Sequence, residues 1–121
     1  IMMLGCNKMF VALYTEHIPL RDVSSSVNKT DLTRFLIDFY NNVKPKEQVA
    51  VLGLNPHAGD DGVLGDEEII IQKSIDKAHK ILNLKENIYT KPIVPDIAFI
   101  PQVRVKFKYY IAMYHDQGLA P

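Results

Sequence analysis

Apolar residues along the chain fall into two kinds of block. Three short runs are apolar nearly throughout: residues 9–14 (MFVALY), 49–54 (VAVLGL) and 109–114 (YYIAMY). Runs of that length read as buried strands, because a strand covered on both faces shows no polar alternation. Longer stretches with helical spacing lie between them. Over residues 28–43, Leu32, Phe35, Leu36 and Phe39 form one apolar stripe. Asn28 or Thr30 can cap the start of this helix, and Pro45 ends it. A second helix is predicted from Asp66 to near Asn83, with Ile71, Ile75, Ala78 and Leu82 on its buried face. Asp66, Glu67 and Glu68 place negative charge at the positive end of its dipole. Residues 88–94 predict a further strand, and Pro92 with Pro95 assigns it to a sheet edge, where a missing N–H is tolerated. Residues 96–101 predict one helical turn, and 102–108 carry no decisive pattern. Strands alternating with helices predict an α/β fold around a largely parallel sheet.

Composition narrows the class. A chain of 121 residues suits one compact domain with a single core. Its 47% hydrophobic and 23% charged content is ordinary for a soluble globular protein. Fourteen basic residues balance 14 acidic ones, so charge gives no footprint for nucleic acid or an anionic membrane. No apolar run approaches the roughly 20 residues that a membrane-spanning helix needs. Residues 1–4 lack the basic start and long apolar stretch of a secretory signal. The single cysteine, Cys6, excludes an internal disulfide and argues against a cysteine-based zinc site. The expectation is a cytoplasmic protein with neither membrane nor nucleic-acid partner. The chain opens on Ile1 and stops at Pro121, directly after its most distinctive motif, so it reads as an excerpt of a longer protein.

The candidate chemistry centres on three histidines. His17, His57 and His115 each follow one of the three apolar runs within a few residues. In open α/β sheets, ligands gather outside the carboxyl ends of the strands. Three imidazoles there suit a divalent ion, since catalytic sites combine three protein ligands with an open position, and three histidines are one such set. The alternative stays open: a loop histidine also serves as a solvated or capping residue, and the wide spacing matches no local metal motif. His79 falls inside the second helix beside its apolar stripe and reads as partly exposed and structural. Asp116 can orient a neighbouring group or shuttle a proton, or it can be a turn residue ahead of Gly118. Asp60, Asp61, Asp66, Glu67 and Glu68 do not follow the order of a calcium-binding EF-hand loop, and capping with a solvated loop accounts for them. Gly59, Gly62 and Gly65 match neither the P-loop nor the dinucleotide fingerprint. Tyr14, Tyr109, Tyr110 and Tyr114 are predicted in or beside the core.

Three segments occur together in order: Glu16-His17-Ile18-Pro19-Leu20-Arg21, then Asn55-Pro56-His57-Ala58-Gly59 leading through Gly62 and Gly65 to Glu67-Glu68, then Met113-Tyr114-His115-Asp116-Gln117-Gly118-Leu119. Together they resemble the middle of the 4-hydroxythreonine-4-phosphate dehydrogenase family of pyridoxal 5′-phosphate biosynthesis. The second and third motifs are specific and the first is weaker alone. The resemblance implies an isocitrate/isopropylmalate dehydrogenase-like α/β fold, of which residues 1–121 form one segment within a longer two-domain, homodimeric enzyme. It implies an NAD-dependent oxidation of 4-phosphohydroxy-L-threonine followed by decarboxylation to 3-amino-2-oxopropyl phosphate. It also implies a divalent ion (zinc, magnesium or cobalt) held by three histidines shared between subunits, which map onto His17, His57 and His115. Asp116 is the candidate catalytic residue.

The chain departs from the family pattern at Tyr14-Thr15-Glu16, where small residues or threonines are common, and at Asp60-Asp61, where glutamate-glycine is frequent. Neither change removes a ligand. The family's Gly-His-Thr substrate segment is expected before this stretch. Its lysine, asparagine and arginine substrate contacts, and most nucleotide contacts, are expected after it. The stretch alone is therefore expected to be inactive, and its residues leave the NAD contacts unassigned. A metal-dependent hydrolase, in which three histidines activate water, is the alternative.

Overall fold

A computed structural model describes residues 2–6, 9–15, 20–54, 67–84, 86–94, 98, 101–104, 106–114 and 117. The apolar runs form strands and the striped segments form helices. In chain order the described elements are β1 (Met2–Cys6), β2 (Met9–Leu13), a 3₁₀ turn (Leu20–Asp22), α1 (Val23–Ser26), α2 (Lys29–Val43), β3 (Ala50–Val51), α3 (Glu67–Leu82), α4 (Pro101–Arg104) and β4 (Tyr109–Ala112). The strands make one sheet in the order β1-β2-β4-β3. β2, β4 and β3 are mutually parallel, as the α/β pattern predicts.

β1 is an addition that the apolar pattern did not announce. It pairs antiparallel with β2, in a register that sets Gly5 opposite Phe10. Only residues 7 and 8 separate the two strands, and so short a connection allows no parallel crossover. Glycine is required at position 5 by close approach: a Cβ there would lie 2.2 Å from the Met9 carbonyl oxygen and 2.7 Å from Phe10 Cα.

The sheet has two dry faces. Ala12, Val49, Val51 and Ile111 point to one face, where Leu32, Leu36 and Phe39 of α2 and Ile71, Ile75 and Ala78 of α3 cover them. Val11, Leu13, Ala50, Leu52, Tyr110 and Ala112 point to the other, together with Ala98. This strict alternation along apolar strands is what burial on both sides requires. Both helices carry the predicted stripes, with two adjustments. Phe35 and Leu82 are only half-buried, and Thr33 and Ser74 join the buried faces. Ser74 satisfies its hydroxyl by donating to the Ile70 carbonyl, 2.8 Å away.

Capping follows local chemistry. Asn28 has extended backbone angles, and its side chain accepts the Asp31 N–H at 2.9 Å, so Asn28 rather than Thr30 is the N-cap of α2. Lys44 ends the same helix in the left-handed conformation (φ 50°), with its N–H on the Tyr40 carbonyl at 2.8 Å; Pro45 follows.

Residues 88–94 run parallel to β3 on its outer side, bridging at Val49–Tyr89 and Leu52–Ile93, so the predicted edge position holds but a continuous ladder does not form. Pro92 explains the break. Val49 exchanges regular bonds with Ile88 and Thr90, and the next donor in that register would be residue 92, which has no N–H. The Val51 carbonyl instead takes the Ile93 N–H at 2.8 Å. The Val51 N–H donates to the Thr90 hydroxyl oxygen at 3.0 Å. Within residues 96–101, Ala98 is helical, and the segment left without a pattern begins inside α4. No helix among the described residues is long and apolar enough to cross a membrane.

Candidate functional site

β2, β4 and β3 end at the same sheet edge. Neighbouring strands are about 4.8 Å apart, which puts the ends of β2 and β3 roughly 10 Å apart with β4 between them. The described chain continues past each end: Tyr14 and Thr15 beyond β2, Gly53 and Leu54 beyond β3, Met113 and Tyr114 beyond β4. The candidate ligands His17, His57 and His115, and the candidate catalytic residue Asp116, lie outside the described residues. So do Gly59, Gly62, Gly65, Asp60, Asp61 and Asp66. Among the described residues, no three His, Cys, Asp or Glu side chains are grouped so as to hold a metal.

The strand ends are tied to one another by side chains that the sequence reading did not single out. Thr15 and Gln117 are both buried, at 7% and 8% exposure, so their polar atoms must find partners within the protein. The Thr15 hydroxyl donates to the Met113 carbonyl at 2.6 Å, and the Thr15 N–H reaches the same oxygen at 3.2 Å. The Gln117 side-chain oxygen accepts the Met113 N–H at 2.7 Å. Its amide nitrogen donates to the Gly53 carbonyl at 2.6 Å. Both polar groups of Met113 are thus held, one from the β2 side and one through Gln117 to the β3 side. Gly53 is itself crowded: its N–H donates to the Ile93 carbonyl at 2.9 Å, and a Cβ there would meet the Glu68 side chain at 3.3 Å.

The aromatic residues near this edge pack as predicted. Tyr14 is half-buried; its ring meets Phe35 edge-on at 5.4 Å, and its hydroxyl donates to the Ser26 carbonyl at 2.6 Å. Burial, reinforced by the negative charge of Asp31, pushes its phenol up to about 12, so Tyr14 is a neutral donor at physiological pH. His79 stands apart from the strand ends. It is half-buried on α3, and its Nε2 accepts the Tyr89 N–H at 3.1 Å, which confirms a structural role. The groove lined by Lys29, Lys73, Asp76, Lys77, Lys80 and Ile81 lies on the helical layer and contains none of the candidate residues.

Comparison with known proteins fits this architecture. The 4-hydroxythreonine-4-phosphate dehydrogenase of Sulfurimonas denitrificans is 64% identical over 121 residues, covering 100% of this chain and 38% of that protein. The enzyme of the same name from Campylobacter fetus is 48% identical, covering 100% of this chain and 39% of that protein. The crystal structure of the Klebsiella pneumoniae 4-hydroxythreonine-4-phosphate dehydrogenase superposes with a TM-score of 0.75 at 33% identity, over 98% of this chain and 37% of that one. The chain therefore spans well under half the length of the relatives it matches. The family described as pyridoxal phosphate biosynthetic protein PdxA matches residues 1–121, and the chain belongs to that family.

Proposed function

We propose that this chain is the central part of an NAD-dependent dehydrogenase that oxidises 4-phosphohydroxy-L-threonine and releases carbon dioxide to give 3-amino-2-oxopropyl phosphate. The observation that carries the reading is the convergence of two facts. The chain is 64% identical to a protein bearing the dehydrogenase name, and its three histidines follow three parallel strands that share one edge. The names of the relatives favour an oxidoreductase over a hydrolase.

In this reading His17, His57 and His115 hold a divalent ion. The donor set fits: neutral imidazole nitrogens suit zinc or cobalt, and three of them leave a position open for a substrate oxygen. Such an ion would supply Lewis acidity toward a substrate oxygen. The chain's own residues bind and orient. Asp116, which follows His115 in the sequence, is the candidate to accept or pass the hydroxyl proton. Thr15 and Gln117 hold the strand ends that lead to the histidines. The NAD contacts, the substrate's phosphate contacts and the second domain belong to other parts of the longer, homodimeric protein, whose fold we propose is of the isocitrate/isopropylmalate dehydrogenase type.

The test is an assay of the full-length protein with NAD, a divalent ion and 4-phosphohydroxy-L-threonine, following NADH. Substrate-dependent NADH formation that disappears in His57→Ala is the expected result. No NADH with metal present overturns the assignment.

A further inference from the structure

The outer surface of the helical layer holds a concentration of positive charge that the chain's overall balance of 14 basic and 14 acidic residues conceals. A groove of about 820 Å³ is lined by Lys29 at the start of α2 and by Lys73, Asp76, Lys77, Lys80 and Ile81 of α3. That volume falls within the roughly 300–1,000 Å³ of ligand clefts. Four ammonium groups therefore meet one carboxylate. Asp76 is already engaged, since its side-chain oxygen accepts the Gln72 amide N–H at 2.9 Å. Among the described residues, none of the four lysines is ion-paired.

Apolar side chains flank this charge. Met3, Ile69 and Ile81 are the exposed large hydrophobics among the described residues, and two of them, Ile69 at 58% and Ile81 at 55%, stand on α3. Ile69, Lys73, Lys77 and Ile81 follow one another at four-residue spacing and form one exposed ridge along the helix. At 1.5 Å of rise per residue the ridge is about 18 Å long. Exposed apolar residues scattered singly are ordinary. Here they bracket two lysines whose like charges, four positions apart, destabilise the helix that carries them. Neither feature stabilises the chain itself, and an anionic ligand with apolar ends would relieve both.

The lining selects among anions. It has no aromatic ring on which a nucleic-acid base could stack and no arginine to grip a phosphate with two parallel bonds. Lysines occupy the centre of the ridge, so it offers no continuous apolar stripe for a membrane interface. An extended peptide fits better. Its same-side residues recur about every 6.6 Å, close to the rise of about 6 Å from Lys73 to Lys77.

We infer that this groove and the ridge beside it are a docking site for an acidic segment of a partner protein, with carboxylates on Lys73 and Lys77 and apolar side chains on Ile69 and Ile81. None of the candidate metal or catalytic residues lines the groove, so the inference is independent of the dehydrogenase reading.

The experiment follows the fluorescence anisotropy of a fluorescein-labelled peptide on the full-length protein. The peptide has about seven residues, a leucine at each end and glutamates between. Saturable binding is expected, and it should weaken as salt is raised from about 50 to about 200 mM, because exposed charges are screened. Lys73→Glu combined with Lys77→Glu should weaken binding about tenfold or more. Ile81→Ser should weaken it severalfold. Lys44→Glu combined with Lys46→Glu makes the same change of charge at exposed positions outside the groove and should leave binding close to the parent. Circular dichroism checks that each variant folds. No binding by the parent protein overturns the inference. So does parent-like binding by the Lys73 and Lys77 variant, or an equal loss in the Lys44 and Lys46 variant. An oligothymidylate, tripolyphosphate or a phosphatidylserine vesicle held more tightly than the peptide through Lys73 and Lys77 would replace the acidic segment as occupant and overturn it as well.

Discussion

The imidazole of His79 lies nearly parallel to the phenol ring of Tyr89, with centroids 5.8 Å apart and planes inclined by 24°. Its Nε2 accepts the Tyr89 backbone N–H at 3.1 Å, so the ring must be neutral at that nitrogen. This contact fastens the edge segment to α3 at the point where the segment bridges Val49.

Burial holds the His79 pKa below its ordinary 6.5, and the nearby Asp76 carboxylate opposes this in part. The unfolded chain therefore takes up the proton first. Stability from the contact is complete above pH 6.5 and is lost as pH falls through that value toward the lower folded-state pKa. His79→Gln keeps an acceptor at every pH. The thermal midpoint of the parent should fall more between about pH 7.5 and about pH 5.5 than that of the variant. Equal falls would remove His79 from the account.

Tyr89 also anchors α2, because its buried hydroxyl donates to the Leu36 carbonyl. Tyr89→Phe should cost about 1 kcal/mol, the net worth of one hydrogen bond, with little change in packing. Urea unfolding measures it. A variant as stable as the parent would show that the ring alone does the anchoring.

Gly5 leaves no room for a side chain, since a Cβ would sit 2.2 Å from the Met9 carbonyl oxygen. Gly5→Ala should therefore separate β1 from β2 or shift their register, with a loss of about 1–3 kcal/mol, the usual range for overpacking. The same unfolding assay applies, and an unchanged midpoint would mean that β1 does not hold the register described.

Asn28 closes the first turn of α2 by accepting the Asp31 N–H. Asn28→Ala should destabilise by about 1 kcal/mol and Asn28→Ser by much less, because serine can also accept at an N-cap. Circular dichroism during thermal unfolding distinguishes them; identical losses would point away from capping.

If the histidines are shared between subunits, metal affinity depends on assembly. Dilution of the full-length protein below its dimerisation constant should then weaken zinc binding, and zinc should in turn stabilise the dimer. Affinity independent of protein concentration would place the whole site within one subunit.

The sequence by itself determined the main elements and their faces, β1 and the short helix α4 aside. The runs at 9–14, 49–54 and 109–114 read first as covered strands, and the stripes of Leu32, Phe35, Leu36 and Phe39, and of Ile71, Ile75, Ala78 and Leu82, as buried helix faces, on which Phe35 and Leu82 are half-buried. Periodicity is local, and these residues satisfy it wherever the rest of the chain goes. The three histidines stood out by their place after the apolar runs, and family membership was legible through the resemblance of the motifs around them. Tertiary structure decided what pairs across distance. It added β1, whose five residues carry a glycine that reads as a weak strand former until Phe10 packs against it. It broke the edge ladder at Pro92, because a missing N–H matters only once a partner strand is in place. And it joined Thr15, Met113, Gln117 and Gly53, because the Met113 and Gly53 backbone groups are satisfied by side chains that only the assembled sheet brings to them. No spacing in the chain records that need, since the bond from Gln117 to Gly53 exists only after the sheet has brought the two together.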